Sequence, residues 1–535
     1  MTKVLNKLGR GIVLVLLTLL AARAWAVIEA SPSGGTPPKV AEPLYLQLGG
    51  VGLDPARVYR VRDAALDRAA IHIALADGTI AFTQDVMGRI TGAFFEGEGE
   101  VLLTPPDEVE RKSMSLFTGS AILEERFATA YFRFNDDVMK DLRPGLRAAD
   151  DGKDFVKQWN ETARHLAQAD AMRLLLSFGR MLPVSGNVPA QKSSASAAAT
   201  DPNDRMLHAR VQGTKLGIFD IYFDSTSAEQ VQAGQARAGA SGDAYYDVWT
   251  SFSSTSNSPT TRTIGRAAPR REKGEIREEE PHEDTVVAHR FAIKAEVTPP
   301  TQLKAEARLE LEVVQDGART LIFELSRFLQ VQSVEADGRL VEFIHNPAVE
   351  GTQLSRRGND MVAVILPAPA SAGQKIELRF VYSGDVLSEE GKGLLYVGAR
   401  GTWYPNRGLQ MADFDLEFHY PAGWTLVATG RPMPVSPQAA SAGTDAIPAA
   451  ALPGEQVGRW VSDRPLPVAG FNLGKYVRAT AQAGNVMVES YATVGVERDF
   501  PSAQNRVIED PTQPPERRRL PEIVLAKPPS PARNA

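Results

Sequence analysis

The sequence predicts a mostly β protein with an α+β amino-terminal region, and three observations carry that prediction. Apolar and charged residues alternate strictly from Leu303 to Val313, the period of a strand with one buried face. The turn dipeptides Asp316-Gly317, Asp337-Gly338 and Ser383-Gly384 separate further runs of the same kind. A long helical pattern lies in the first half, where Phe155, Trp159, Leu166, Met172 and Leu175 fall on roughly one side of a helix over 152–180.

In chain order, residues 1–26 read as a signal peptide. Lys3, Lys7 and Arg10 form a positive stretch, Gly11 to Ala22 an apolar core, and Ala24-Trp25-Ala26 a small-x-small cleavage site. The mature chain is therefore expected outside the cytoplasm, periplasmic or secreted. Residues 27–43 are rich in Pro, Gly and Ser and read as a flexible leader.

An α+β leader domain is expected over 44–252. Ala70–Leu75 and Thr79–Thr83 flank Asp77-Gly78 and read as a hairpin, because Asp-Gly suits a two-residue turn. Arg89–Phe95 and Glu100–Leu103 suggest a second pair around Glu96-Gly-Glu-Gly99. A helix is expected from Asp107 to Phe117, with Asp107 at the N-cap and Glu110 completing the cap. Phe127–Phe134, Ile218–Phe223 and Ala244–Phe252 read as strands. Residues 253–284 are first Ser/Thr-rich and then densely charged, with too little apolar area to offset ordering, and read as a linker.

The next 200 or so residues, 285–483, carry the amphipathic strands: Val287–Ile293, Leu303–Val313, Leu321–Leu325 and Ile376–Tyr382. Several such strands joined by short turns predict two sheets packed face to face. An Ala/Pro-rich stretch at 431–457 reads as a mobile insertion, and 484–535 as a Pro-rich tail.

Composition narrows the function. The net charge of −6 gives no basic surface for nucleic acid. After the signal segment no apolar run is long enough to span a membrane. With no cysteine there is neither a disulfide nor a thiolate nucleophile or metal ligand. A zinc peptidase would need His-Glu-x-x-His on a helix. The one His-Glu pair, His282-Glu283, sits in the charged linker with Val286 where the second His would fall. His72, His165, His208, His345 and His419 are scattered singly and read as surface or core residues. Gly239-Ala-Ser241-Gly lacks the closing glycine of a nucleophile elbow. The neighbouring acids Asp136-Asp137 and Glu389-Glu390 read as a helix cap and an exposed loop.

Residues 396–476 carry a more specific pattern. Tyr396-Val-Gly-Ala-Arg400-Gly-Thr-Trp403-Tyr404-Pro405 leads into Phe414-Asp-Leu416-Glu-Phe418-His-Tyr420, then Pro421-Ala-Gly423-Trp424 and Val427-Ala-Thr-Gly430. Trp460-Val-Ser-Asp463-Arg-Pro465 and Phe471-Asn-Leu-Gly474-Lys-Tyr476 follow. This order resembles the amino-terminal β-sandwich, or saddle, domain of the M1 (gluzincin) aminopeptidases. The stretch Gly88–Pro106 and Tyr246-Asp-Val-Trp249 are similar to the leader region of long, exported M1-like proteins.

The resemblance implies that 285–483 is the non-catalytic front of a zinc metallopeptidase, forming a wall of the substrate cleft. Zinc would belong to a catalytic domain missing here, so no cofactor is expected in this chain, and the implied partner is a separate or missing peptidase domain. In M1 enzymes this domain lends a Gln or Glu that holds the substrate's amine; the matching positions are Leu395 and Tyr396, which offer no such group. Leu394, Leu395, Tyr396, Trp403 and Tyr404 are the candidate interface, apolar groups left for a partner to cover. The alternative reading is an exported β-rich module that binds protein or glycan.

Overall fold

The computed structural model describes residues 37–149, 164–184, 204–227, 229–238, 244–253, 285–348, 358–390, 393–398, 401–408, 410–434, 454–484 and 486–493, together with 155, 157 and 159. The signal peptide, residues 254–284 of the linker, 435–453 of the insertion and the chain beyond 493 lie outside the described residues.

The protein is mostly β, as its alternation predicts. In the first region, β1 (Leu53–Arg68), β2 (Ile71–Thr83), β3 (Gly92–Leu103), β4 (Leu123–Phe134), β5 (Leu146–Ala148), β6 (Met206–Gly213), β7 (Gly217–Asp224), β8 (Val231–Ala238) and β9 (Ala244–Phe252) form one sheet. Its nine strands run in the order β5-β1-β2-β3-β4-β6-β7-β8-β9, antiparallel throughout. One face packs around Phe82, Phe95, Phe132, Phe219 and Trp249. The helices α2 (Glu108–Thr118) and α3 (Val138–Leu142) supply Met114, Val138 and Leu142 to that core. The other face is covered by α1 (Glu42–Gly49) and α4 (Arg164–Phe178), which pack on each other. Trp159, Met172 and Leu175 of the expected 152–180 helix are buried there. Asp107 takes the N-cap position of α2, and Gly119 ends that helix at φ 75°.

Two expected turns are not turns. Asp77-Gly78 lies within β2, at a register shift after Leu75, and Glu96–Gly99 lies within β3. The glycines serve the sheet face instead. A Cβ on Gly78 would fall 2.6 Å from the Phe95 ring, and one on Gly99 would fall 2.3 Å from the Phe127 ring. The aromatic rings occupy the space a side chain would take, so both strands continue past the glycines. The chain instead reverses between β1 and β2 at Ala69, which takes φ 49° without glycine.

The second region holds β10 (Val286–Thr298), β11 (Gln302–Val313), β12 (Ala318–Ser326), β13 (Leu329–Ala336), β14 (Arg339–Leu340), β15 (Glu342–Asn346), β16 (Asn359–Ala370), β17 (Lys375–Asp385), β18 (Leu387–Glu389) and β19 (Leu394–Val397). It continues with β20 (Asp413–Pro421), β21 (Thr425–Ala428), β22 (Arg431–Met433), β23 (Glu455–Val461), β24 (Phe471–Gly474), β25 (Tyr476–Ala483) and β26 (Val486–Thr493). An eight-stranded sheet, β14-β13-β17-β11-β10-β20-β23-β22, packs its apolar face on a three-stranded sheet, β12-β16-β15, and a four-stranded one, β18-β19-β24-β21. Its outer face is laced with charge pairs across strands. Arg379 meets Glu306 at 2.7 Å and Glu335 at 3.0 Å, and Lys294 meets Glu417 at 3.2 Å. The charged half of the alternation thus faces water.

Two expected boundaries move. β22 and the start of β23 occupy both ends of the 431–457 insertion. β26 occupies 486–493, within the segment read as tail, because its β-branched and apolar start at Val486-Met-Val488 pairs back on β25.

Candidate functional site

The candidate interface begins on β19, between β18 and β24. Successive side chains on a strand point to opposite faces. Leu395 and Val397 therefore enter the core, Leu394 is half-buried, and Tyr396 stands 44% exposed. Tyr396 lies over Gly398, where a Cβ would fall 2.8 Å from the phenol oxygen.

Trp403 and Tyr404 are buried, which corrects the expectation of one exposed patch over all five residues. Each polar tip finds a main-chain partner at one residue. The Trp403 indole donates to the Ala469 carbonyl at 2.8 Å, and the Tyr404 hydroxyl accepts from the Ala469 N–H at 3.3 Å. Their rings pack with Phe471, Phe418, Phe291 and Phe414 at centroid distances of 5.1 to 5.8 Å. Burial pushes the Tyr404 hydroxyl up to about 12. The turn before them is fixed by Asn359, whose Oδ1 accepts from Thr402 N at 2.7 Å and whose Nδ2 donates to Thr402 Oγ1 at 3.0 Å. Gly401, at φ 93°, is needed there because a Cβ would fall 2.4 Å from that Oδ1. Of the five residues, then, Leu395, Trp403 and Tyr404 build the core, while Tyr396 and part of Leu394 meet solvent.

Four exposed apolar side chains of this region, Val477, Val486, Met487 and Val488, lie elsewhere, on the β25–β26 hairpin. The register puts Val477, Ala479 and Ala481 on one face with Val486, Val488, Ser490 and Ala492, while Arg478, Thr480, Met487, Glu489 and Tyr491 share the other. Val477, Val486 and Val488 are 59%, 62% and 51% exposed. Among the described residues no further strand pairs with the hairpin. Its root is held by the Tyr476 hydroxyl, which donates to Asn472 Oδ1 at 2.8 Å, and by Lys475 over the Trp424 ring at 5.4 Å. Asn472 in turn pairs with Tyr396 across β24 and β19, so the exposed tyrosine and the hairpin adjoin.

Sequence reading passed over a second feature, a buried ionic cluster under α4. His208 Nδ1 lies 2.8 Å from Asp170 Oδ2, and its Nε2 lies 3.1 Å from Asp220 Oδ1. Arg210 grips Asp220 through two bonds of 2.5 and 2.7 Å, and Tyr222 stacks on the imidazole at 4.0 Å. Burial alone would lower the His208 pKa, but the two carboxylates outweigh it and raise it to about 9. His208 is wholly buried, so no substrate reaches it, and the imidazolium acts as a clamp between α4 and β7. The signal was present as His208-x-Arg210 and Asp220-x-Tyr222, which become cross-strand partners only once β6 and β7 pair.

Of the other described histidines, His72 meets Asp67, His289 meets Glu312 and His345 meets Asp360, while His419 lies between Glu417 at 2.9 Å and Glu455 at 3.3 Å. Among the described residues no group of three or more His, Cys, Asp or Glu is placed to hold a metal ion. His282-Glu283 and the side chain of His165 lie outside the described residues.

No protein-family model matches the chain, and no curated protein matches it significantly. Among solved structures, an M1 zinc metallopeptidase from Deinococcus radiodurans is similar at 18% identity and a TM-score of 0.30, over 39% of this chain and 47% of that one. A mutant of that enzyme bound to a Tyr-Ser-Ala substrate gives 19% and 0.29 over the same shares. A two-domain M1 zinc metallopeptidase mutant bound to L-tryptophan gives 19% and 0.30, over 42% of this chain and 52% of that one. The match thus spans about half the length of these structures.

Proposed function

We propose that this chain is the non-catalytic amino-terminal portion of an exported M1-like zinc metallopeptidase, whose sandwich walls the substrate cleft of a peptidase domain held in a separate chain or a further segment. The observation that carries the reading is the hairpin. An isolated pair of strands has little stability of its own in water, and one that leaves Val477, Val486 and Val488 more than half exposed on one face calls for a covering surface. Here that face follows directly on Phe471-Asn-Leu-Gly474-Lys-Tyr476, the closing segment of the resemblance, and adjoins the exposed Tyr396. The partner surface is β19 and the hairpin, with Leu395, Trp403 and Tyr404 as the rigid support beneath. Zinc and the peptidase chemistry reside in the partner domain; the signal-like start of the chain supports export.

Hydrogen exchange tests the reading. Amides of 476–493 are expected to exchange quickly in the purified chain and slowly when a His-Glu-x-x-His domain from the same organism is added at saturation. The purified chain alone is expected to carry no stoichiometric zinc and to leave aminoacyl-arylamides intact. Unchanged exchange with added domain counts against the partner surface, and one equivalent of tight zinc counts against the non-catalytic assignment.

A further inference from the structure

The three-stranded sheet β12-β16-β15 is buried on both faces. Leu321, Phe323, Val362 and Val364 enter the sandwich core. From the other face Ile344, Ala363 and Ile365 join a cluster with Leu48, Leu175 and Phe178 of the first region. Two charges sit at the edges of this contact, and both are buried. The Glu342 carboxylate accepts the main-chain N–H groups of Val40 at 2.7 Å, Ala41 at 3.0 Å and Glu42 at 2.8 Å, the free donors at the start of α1. The Arg319 guanidinium donates to the carbonyls of Leu182 and Pro183, just past α4, and to Leu366 O at 3.3 Å within its own sheet. Tyr45 completes the contact, its hydroxyl donating to Asn346 Oδ1 at 2.5 Å.

A buried charge without partners is costly, and one left half-satisfied is costlier than an apolar residue. The sandwich nevertheless commits an anion and a cation to this face. The anion bonds only main-chain donors of residues 40–42, and the cation reaches main-chain acceptors of residues 182–183. Main-chain partners test position rather than side-chain identity, so the pair accepts a helix start and a helix end only at this spacing. The apolar residues between supply the adhesive area.

We infer that residues 37–253 are the built-in binding partner of the outer face of β12-β16-β15, locked there by Glu342 and Arg319, so that the two regions stay bound as a complex whether or not the segment between them is intact. The first region is then a fixed part of the platform that presents β19 and the hairpin, not a tethered separate domain.

The test uses the full mature chain with a specific protease site placed between residues 254 and 284. After cleavage of the otherwise native protein, the two fragments are expected to co-elute in size exclusion at micromolar concentration. In a Glu342→Ala, Arg319→Met variant the cut fragments are expected to bind about ten- to a hundred-fold more weakly and to separate on dilution. Circular dichroism and elution of the uncut variant show whether it is folded. If it is not, the single variant Glu342→Gln, which keeps one acceptor oxygen, takes its place with a smaller loss. Separation of the cut native fragments overturns the inference. Equal retention of cut native and cut variant fragments overturns the lock assigned to the two charges.

Discussion

His208 shows what one residue gains from its surroundings. Asp170 faces it from α4, Asp220 and Tyr222 from β7, Arg210 from its own strand, and Tyr131 and Arg133 from β4. With its pKa raised from 6.5 to about 9, the imidazolium stabilises the fold fully below pH 6.5, and that contribution is lost as pH rises through 9. Denaturant unfolding from pH 6 to 10 is expected to show a loss on the order of a few kcal/mol in the native protein and a flatter profile in His208→Gln. Equal slopes would remove the clamp. Tyr404 makes a complementary case. Its ring is enclosed by aromatic neighbours and its hydroxyl bonds Ala469, so Tyr404→Glu is expected to cost more than about 3 kcal/mol in the same assay, as a carboxylate enters an apolar site. A stable, folded Tyr404→Glu protein would return this residue to the exposed surface.

At the scale of elements, the long strands of the first sheet depend on glycines that resemble turns. Gly99 lies under the Phe127 ring, so Gly99→Ala forces that ring aside and is expected to cost about 1–3 kcal/mol in thermal unfolding. Gly52→Ala is the control, since nothing lies within 4 Å of the added methyl, and it is expected to change stability by less than about 0.5 kcal/mol. Equal effects would mean the ring does not rest on Gly99. The β25–β26 hairpin is the opposite case, a paired element that no further described strand joins and whose Val477, Val486 and Val488 stay more than half exposed. Periodicity makes a strand; only a second surface makes that strand part of a core.

For the whole molecule, the covered outer face of β12-β16-β15 decides how its two regions depend on each other. Residues 285–493 made without the first region would leave Ile344, Ala363 and Ile365 in water, with Glu342 stripped of its donors at residues 40–42 and Arg319 of the carbonyls of Leu182 and Pro183. That piece is expected to bind a hydrophobic dye and to associate, where the full chain does so less, and sedimentation of the two side by side checks it. A monomeric piece without dye binding would show that the sandwich completes its own surface.

The sequence by itself determined the strands whose alternation is strict, β11 and β17 among them, because period two needs only the local order of apolar and charged residues; in β10 a register shift between Ala288 and Arg290 buries Val286 and Ala288 and leaves His289, from the expected stripe, exposed. It also determined a helix over 107–117 and one within 152–180, found at Glu108–Thr118 and Arg164–Phe178, the mostly β class, and the resemblance carried by residues 396–476. Tertiary structure alone decided the rest. Asp77-Gly78 and Glu96–Gly99 became strand because rings from neighbouring residues fill the space above their glycines. Trp403 and Tyr404 went inward because Ala469, distant in sequence, satisfies both polar tips. His208 and Glu342 acquired roles because partners far along the chain arrive at hydrogen-bond distance. Local pattern fixes which face of an element is apolar; which surface covers that face, and which charges can be buried beside it, depends on long-range contacts that no local pattern records.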